Sequence, residues 1–179
     1  MRTKLVLLWA VVLFVIDQII KVVIDKYFLD VKFDIIPPLF YFRPSFNHQY
    51  SWINGLFGLG MGFWIHIIIY VFATLIIVLL YDYLKTLPGN RKMMNIAFVF
   101  GFAAIMCSFI GTIIWDGCLD YIYLKPLFVF DLKDLYINTF LILFIIPQIN
   151  KKNWSTFTLK NIVRHYKARI ASFNEKQKN

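Results

Sequence analysis

Four long apolar stretches govern what this chain of 179 residues can fold into. They run from about Leu5 to Ile24, from Phe63 to Tyr81, from Asn95 to about Trp115, and from about Asp134 to Ile149. A helix needs about 20 predominantly apolar residues to cross the hydrocarbon core of a bilayer. The fourth stretch is the shortest, and Pro147 marks its end. The runs are continuous rather than alternating, so they read as helices and not as barrel strands. Composition agrees: 60% of residues are hydrophobic and 16% charged, whereas soluble domains run nearer half and a quarter. That hydrophobicity excludes intrinsic disorder. Two cysteines, Cys107 and Cys118, exclude a disulfide scaffold. The expected fold is an all-α membrane protein with four transmembrane helices.

The first stretch follows Arg2 and Lys4, as in a cleaved signal peptide. No small-residue cleavage site follows it; Asp17, Gln18 and Lys21 do, so it reads as a retained helix. Lys and Arg then set the orientation. Arg2 and Lys4, Lys85, Arg91 and Lys92 after the second stretch, and eight bases beyond Ile149 place thirteen of the 19 on one side. The positive-inside rule makes that side, with both termini, cytoplasmic. The formal charge of +9 is therefore topological and carries no argument for nucleic acid, for which the chain has no motif. Residues 1–150 form the expected membrane domain and 151–179 a basic cytoplasmic tail. In the tail, Leu159, Ile162, Val163, Tyr166, Ile170 and Phe173 recur at helical spacing among Lys160, Arg164, Lys167 and Arg169. This fits an amphipathic helix on anionic membrane lipids; the alternative is a solvated tail.

Polar residues inside apolar stretches need a partner or a function. Asp17 and Lys21 are four apart and can pair on one helix face, either as an anchor at the membrane interface or as part of a site. Asp120 follows the end of the third stretch and Asp134 opens the fourth, so both are expected near the outer surface on neighbouring helix ends. Two converging carboxylates share a proton, and one serves as base while the other serves as acid. That pair could activate a water; alternatively both are solvated loop acids. His48, His66 and His165 are scattered without metal-ligand spacing. Pro88-Gly89-Asn90 reads as a turn. Cys107 reads as packing, and Cys118 as an outward thiol able to react. Asn47 is a turn residue or a pocket hydrogen-bonder.

Taken in order, these residues resemble the signal peptidase II, or lipoprotein signal peptidase, family over roughly residues 5 to 150. Asp17-Gln18-Ile19-Ile20-Lys21 resembles the family's D-Q-x-x-K. Ile35-Ile36-Pro37-Pro38-Leu39-Phe40, followed by Asn47, resembles its I-P-G-F-F approach to N-x-G-A-A-F. Gly117-Cys118-Leu119-Asp120-Tyr121-Ile122 resembles G-x-V-x-D-F-I with a one-residue slip, and Phe130-Asp131-Leu132-Lys133-Asp134 resembles F-N-x-A-D. The departures mark a divergent member. Where the third helix of the family carries G-N-x-x-D-R, Ser108 replaces the Asn, Gly111 the Asp and Thr112 the Arg. Asp131 stands for Asn and Lys133 for Ala, and Asp116 is a nearby acid that could stand in for the missing one.

The resemblance implies an aspartic endopeptidase that cuts the signal peptide of a lipid-modified prolipoprotein, with Asp120 and Asp134 as the catalytic pair. It implies Asn47, Asp17, Lys21, Ser108 and Asp131 as substrate-binding or orienting residues. It implies neither metal nor organic cofactor. The first outer loop is expected to form a small extracytoplasmic β-cradle, with Val31 to Asp34 and Leu39 to Arg43 as short strands. The implied setting is a monomer, multi-pass in a bacterial inner membrane, with the site at the extracytoplasmic face. The altered third-helix motif supports an alternative: a weak or inactive relative that binds lipopeptides or a membrane partner. A small channel subunit is a third reading, resting on Asp17 alone.

Overall fold

A computed structural model describes residues 3–87, 90–115, 117–149 and 158–178. Arg2, the Pro88-Gly89 pair, Asp116, Lys151 and Lys152, which figured in the sequence reading, lie outside the described residues. The apolar stretches are helices: α1 (Thr3–Tyr27), α3 (Phe63–Leu84), α4 (Arg91–Ile114) and α5 (Leu132–Ile149). A short helix, α2 (Trp52–Phe57), precedes α3. A four-stranded antiparallel sheet, β1 (Phe33–Ile36), β2 (Phe40–Asn47), β3 (Cys118–Leu124) and β4 (Phe128–Phe130), is ordered β1-β2-β3-β4. The chain ends in α6 (Leu159–Lys178).

α1, α3 and α4 are long and apolar enough to cross a membrane. Their 25, 22 and 24 residues exceed the roughly 20 needed at 1.5 Å per residue. Their outward faces expose Leu8, Trp64, Phe72 and Ile76, each more than half accessible. A contiguous surface of this kind is stable in hydrocarbon and not in water. α4 is the central helix, packed against α1, α3 and α5; 56% of its apolar window is buried, against 22% for α1 and 11% for α3. Its buried side is small where neighbours come close: Ala97, Gly101, Ala103 and Ala104. A Cβ on Gly101 would lie 2.6 Å from Ile77 of α3 and 2.9 Å from the Phe140 ring of α5. Phe98, Phe140 and Phe144 interlock beside this contact.

The sheet lies where α1 and α4 end and α5 begins. Its first two strands follow the expected pair, β1 shifted by two residues and β2 starting one residue later and running four residues past Arg43. Its other two correct the expectation of a helix-end loop: Asp120 sits on strand β3, opposite Ser45 of β2. Cross-strand aromatic pairs hold the sheet, with Phe33 on Phe42, Tyr41 on Tyr123 and Phe40 on Phe130. The segment between β2 and α3 is organised by Asn54, whose amide donates to the Gln49 and Met61 carbonyls at 2.8 and 2.9 Å and accepts from Met61 N at 3.0 Å. Ser51 caps α2, and Gly58 closes it with φ +57°. His66 is part of this scaffold, facing Ser51 Oγ at 3.2 Å and the Gly62 carbonyl at 3.0 Å.

Gly101→Ile overfills the α3–α4–α5 contact and should cost about 1–3 kcal/mol of stability, read as a lowered thermal midpoint in detergent. Gly62→Ala, where a Cβ meets nothing within 4 Å, should stay within about 0.5 kcal/mol of the parent.

Candidate functional site

The first turn of α5 is built by two acids three residues apart. Asp131 Oδ1 accepts from Asp134 N at 3.1 Å, and Asp134 Oδ2 accepts from Asp131 N at 3.1 Å. This is a reciprocal capping box, here made from two aspartates. It satisfies two backbone donors that would otherwise be orphaned at the helix start.

Asp131 is fully buried, and two ammonium groups flank it. Lys21 of α1 approaches to 2.6 Å and Lys133 to 3.1 Å. Lys21 also pairs with Asp17 at 3.2 Å, as the i,i+4 spacing predicts, and both side chains are fully buried rather than anchored at an interface. Lys133 also reaches its neighbour Asp134 at 2.9 Å. Adjacent residues point apart on a regular helix, but the long lysine chain folds back at the helix start. The result is one chain of charges, Asp17–Lys21–Asp131–Lys133–Asp134. Gln18 adds an amide to Asp17 at 2.9 Å and accepts from Trp115 Nε1 at 3.3 Å, tying the end of α4 to α1.

Asp120 faces this network from β3. Its Oδ2 accepts from Asn47 Nδ2 at 3.3 Å. Asn47 is fixed in turn by accepting from Gln49 N at 3.0 Å and by its register opposite Cys118. Oδ1 of Asp120 is buried with no hydrogen bond among the described residues. The Cys118 thiol is close, but its single proton goes to Asp131 Oδ2 at 3.2 Å. Cys118 is thus a buried member of the cluster, which corrects the expectation of an outward, reactive thiol. Its thiol is held protonated by burial first, while the Lys133 and Lys21 charges oppose.

Gly117 allows the approach of β3 to β2. Its φ of +148° lies where side chains are rare, and a Cβ there would meet the Asn47 carbonyl oxygen at 2.4 Å. The Ser108 hydroxyl is spent within its own helix: it donates to the Ala104 carbonyl one turn back in α4, at 2.9 Å.

The charges explain the proton affinities. The network holds three carboxylates against two ammonium groups, so ionising Asp120 adds a second net negative charge. Burial is the main effect on Asp120; the Lys133 charge opposes it, Asp131 and Asp134 reinforce it, and the carboxyl is pushed up to about 6. Asp131 goes the other way. Burial raises it, but the Lys133 and Lys21 charges prevail and hold it well below the usual carboxylate range. One carboxyl near neutrality beside others kept in different states is an arrangement suited to acid–base chemistry. Cys118, Asp120 and Asp131 also offer three donor atoms within 4.8 Å of one another, a spacing that could hold a cation. The oxygens of Asp131, however, already face Lys21 and Lys133, which supply positive charge there.

Of the residues chosen from sequence, Asp17, Lys21, Asn47, Asp120, Asp131 and Asp134 meet here, while the Ser108 hydroxyl bonds within α4. Cys118 as a buried donor was missed, although it lies two residues from Asp120; Lys133 could act on Asp134 by charge if its side chain turned that way, and it does, at 2.9 Å.

Solved structures share this architecture. One bacterial membrane enzyme, determined by the in meso method at 2.3 Å, matches 84% of this chain and 93% of its own at 24% identity, with a TM-score of 0.67. A second, at 1.9 Å, matches 84% of this chain and 96% of its own at 20% identity, with a TM-score of 0.66. A search of curated protein sequences finds no match. The chain therefore shares the fold of these bacterial membrane enzymes. The family model for signal peptidase (SPase) II matches residues 9–150, and the chain belongs to that family.

Lys21→Met leaves Asp17 and Asp131 buried with less compensating charge, and should cost about 3–5 kcal/mol in a thermal or denaturant titration. Adding Asp17→Asn should recover part of that loss. The raised Asp120 carboxyl means that the folded state holds this proton more tightly than the unfolded chain. Stability from this group is therefore lost as pH rises from the ordinary carboxylate range through about 6. Asp120→Asn should flatten that slope and stabilise the protein at neutral pH by up to about 3 kcal/mol.

Proposed function

We propose that this chain is an aspartic endopeptidase that removes the signal peptide from lipid-modified prolipoproteins, with Asp120 and Asp134 as its catalytic pair. The observation that carries the reading is Asp120: buried, held on one oxygen by Asn47, without a hydrogen bond on the other among the described residues, and pushed up to about 6. Its position in a chain of the signal peptidase II family supports the assignment.

In this reading α5 is a fourth span, both termini are cytoplasmic, and the sheet and site lie at the outer face of a bacterial inner membrane. The sheet is the cradle over the site. The substrate is a lipoprotein precursor whose apolar signal helix reaches the monomeric enzyme laterally through the bilayer.

The pair shares one proton. The ionised carboxylate takes a proton from water as the water oxygen bonds to the scissile carbonyl carbon. The protonated partner donates to the developing oxyanion. As the tetrahedral intermediate collapses, the C–N bond breaks and a proton passes to the leaving amine. Asn47 holds Asp120, and the Lys21–Asp131–Lys133 network fixes the start of α5 and hence Asp134.

A second reading is favoured by one feature: both oxygens of Asp134 are engaged, Oδ1 by Lys133 and Oδ2 by Asp131 N. A relative that keeps this arrangement in the presence of substrate would bind lipopeptides without cleaving them.

A gel-shift assay on a lipidated prolipoprotein separates the two. Wild type should cleave, while Asp120→Asn and Asp134→Asn should each lose about 10²–10⁴-fold. The rate should fall on the acid side with an apparent value near the 6 of the Asp120 carboxyl, a property of the pair rather than of one residue. Binding of a lipopeptide inhibitor with no turnover by wild type would establish the second reading; cleavage by both variants at the wild-type rate would remove the aspartic mechanism.

A further inference from the structure

The C-terminal helix carries three stripes whose members are three, four or seven residues apart, which on a helix of 3.6 residues per turn occupy adjacent faces. The first is docked. Ile162 and Tyr166 pack against the membrane-helix core, and His165 meets the Tyr83 ring at 5.4 Å. Tyr166 donates to the Leu79 carbonyl at 2.7 Å, and Arg169 pairs with Asp82. These contacts fix α6 at the end of α3. The second stripe is apolar and open: Leu159, Val163, Ile170 and Phe173 are 77%, 45%, 61% and 60% exposed. The third, Lys160, Arg164 and Lys167, is basic and exposed.

The order of the stripes matters. The apolar face lies between the protein contact and the basic face. α3 is itself apolar and open next to the docking site, with Leu75, Ile76 and Leu79 exposed just before it. The basic face stands beyond the apolar one. At this same end α1 begins, with Lys85 reaching Thr3 at 3.5 Å, and α4 opens on the exposed Arg91 and Lys92. A solvated helix gains nothing from an open apolar stripe of this size. A helix in the headgroup layer buries the apolar stripe among acyl chains and sets the cations among phosphates.

We propose that α6 is an interfacial helix, pinned to the end of α3 by Tyr166 and Arg169, whose open face binds the headgroup layer of an anionic leaflet. This assignment is independent of the peptidase reading.

The test uses the full chain, reconstituted in vesicles of phosphatidylcholine alone or mixed with phosphatidylglycerol. A fluorophore is attached at Phe173→Cys or at its neighbour Ser172→Cys; Cys107 and Cys118 are buried and unreactive to it. In anionic vesicles the probe at 173 should be shielded from an aqueous quencher and the probe at 172 should not. Each basic side chain near an anionic surface contributes about five-fold. Lys160→Gln/Arg164→Gln/Lys167→Gln should therefore shift the ratio of shielded to exposed probe by up to about a hundred-fold. Equal quenching at 172 and 173 in anionic vesicles would overturn the proposal. So would shielding that ignores both lipid charge and the triple substitution, or shielding that appears only when RNA or an acidic protein is added.

Discussion

The contact on which the rest of this structure depends is the pair between Lys21 and Asp131, 2.6 Å apart with neither side chain accessible. Bringing two charges out of water costs several kcal/mol each, and only close geometry and added hydrogen bonds repay it. Here the repayment is distributed. Lys21 reaches Asp17 on its own helix, and Asp131 takes a second cation from Lys133 and a thiol proton from Cys118. The pair joins α1 to the residue that caps α5, so one buried ion pair sets where the fourth long helix begins and how it is turned. Tyr136, one turn further along α5, donates to the Leu13 carbonyl of α1 at 3.2 Å and holds the same alignment.

Against this compensated background Asp120 stands out. Its neighbours are tied into a chain of ion pairs, whereas among the described residues it has no ion pair, one weak partner in Asn47 and one buried oxygen without a hydrogen bond. The surrounding acids outnumber the cations, so Asp120 holds its proton well above the ordinary carboxylate range, up to about pH 6. Stability alone would not favour a carboxyl here. Strain of this kind is retained where a group must exchange protons. The scaffold tolerates it because β3 is held by aromatic pairs across the sheet and by Gly117, which lets the Asn47 backbone pass close by.

The helices were legible because hydropathy is a local property: each apolar run became one helix, with ends displaced by a few residues. The Asp17–Lys21 pair was equally legible, since four residues along a helix put both on one face. What local reading could not supply were pairings between distant segments. Asp120 meets Asn47 across 73 positions, and Cys118-Leu119-Asp120-Tyr121 is a strand only because β2 lies beside it. Measured outward from the preceding helix, the same residues read as a helix end. The Lys133–Asp134 contact was legible only as a condition, for another reason: helical periodicity governs the interior of a helix, and both residues sit in its first turn, where a flexible chain can reach back. α2 and Asn54 were missed because a single amide, rather than any periodic pattern, orders that segment.

The two ends of the bundle handle charge in opposite ways. Where the sheet lies, Asp17, Lys21 and Asp131 are wholly inaccessible and Asp120 and Lys133 nearly so. Such interactions are strong, poorly screened and costly to break, which suits a site that must hold carboxyls in different protonation states. At the other end Asp82 pairs with Lys85 and Arg169, with side chains 31%, 35% and 62% exposed. Exposed pairs of this type contribute at most about 1 kcal/mol. They can orient α6 without fixing it as firmly as buried charges would, so apolar packing through Ile162 and Tyr166 must do most of the holding. A local change at the sheet end is therefore felt by three elements at once, through Lys21 and Asp131, whereas the basic face of α6 can vary in sequence as long as its charge and its apolar stripe remain.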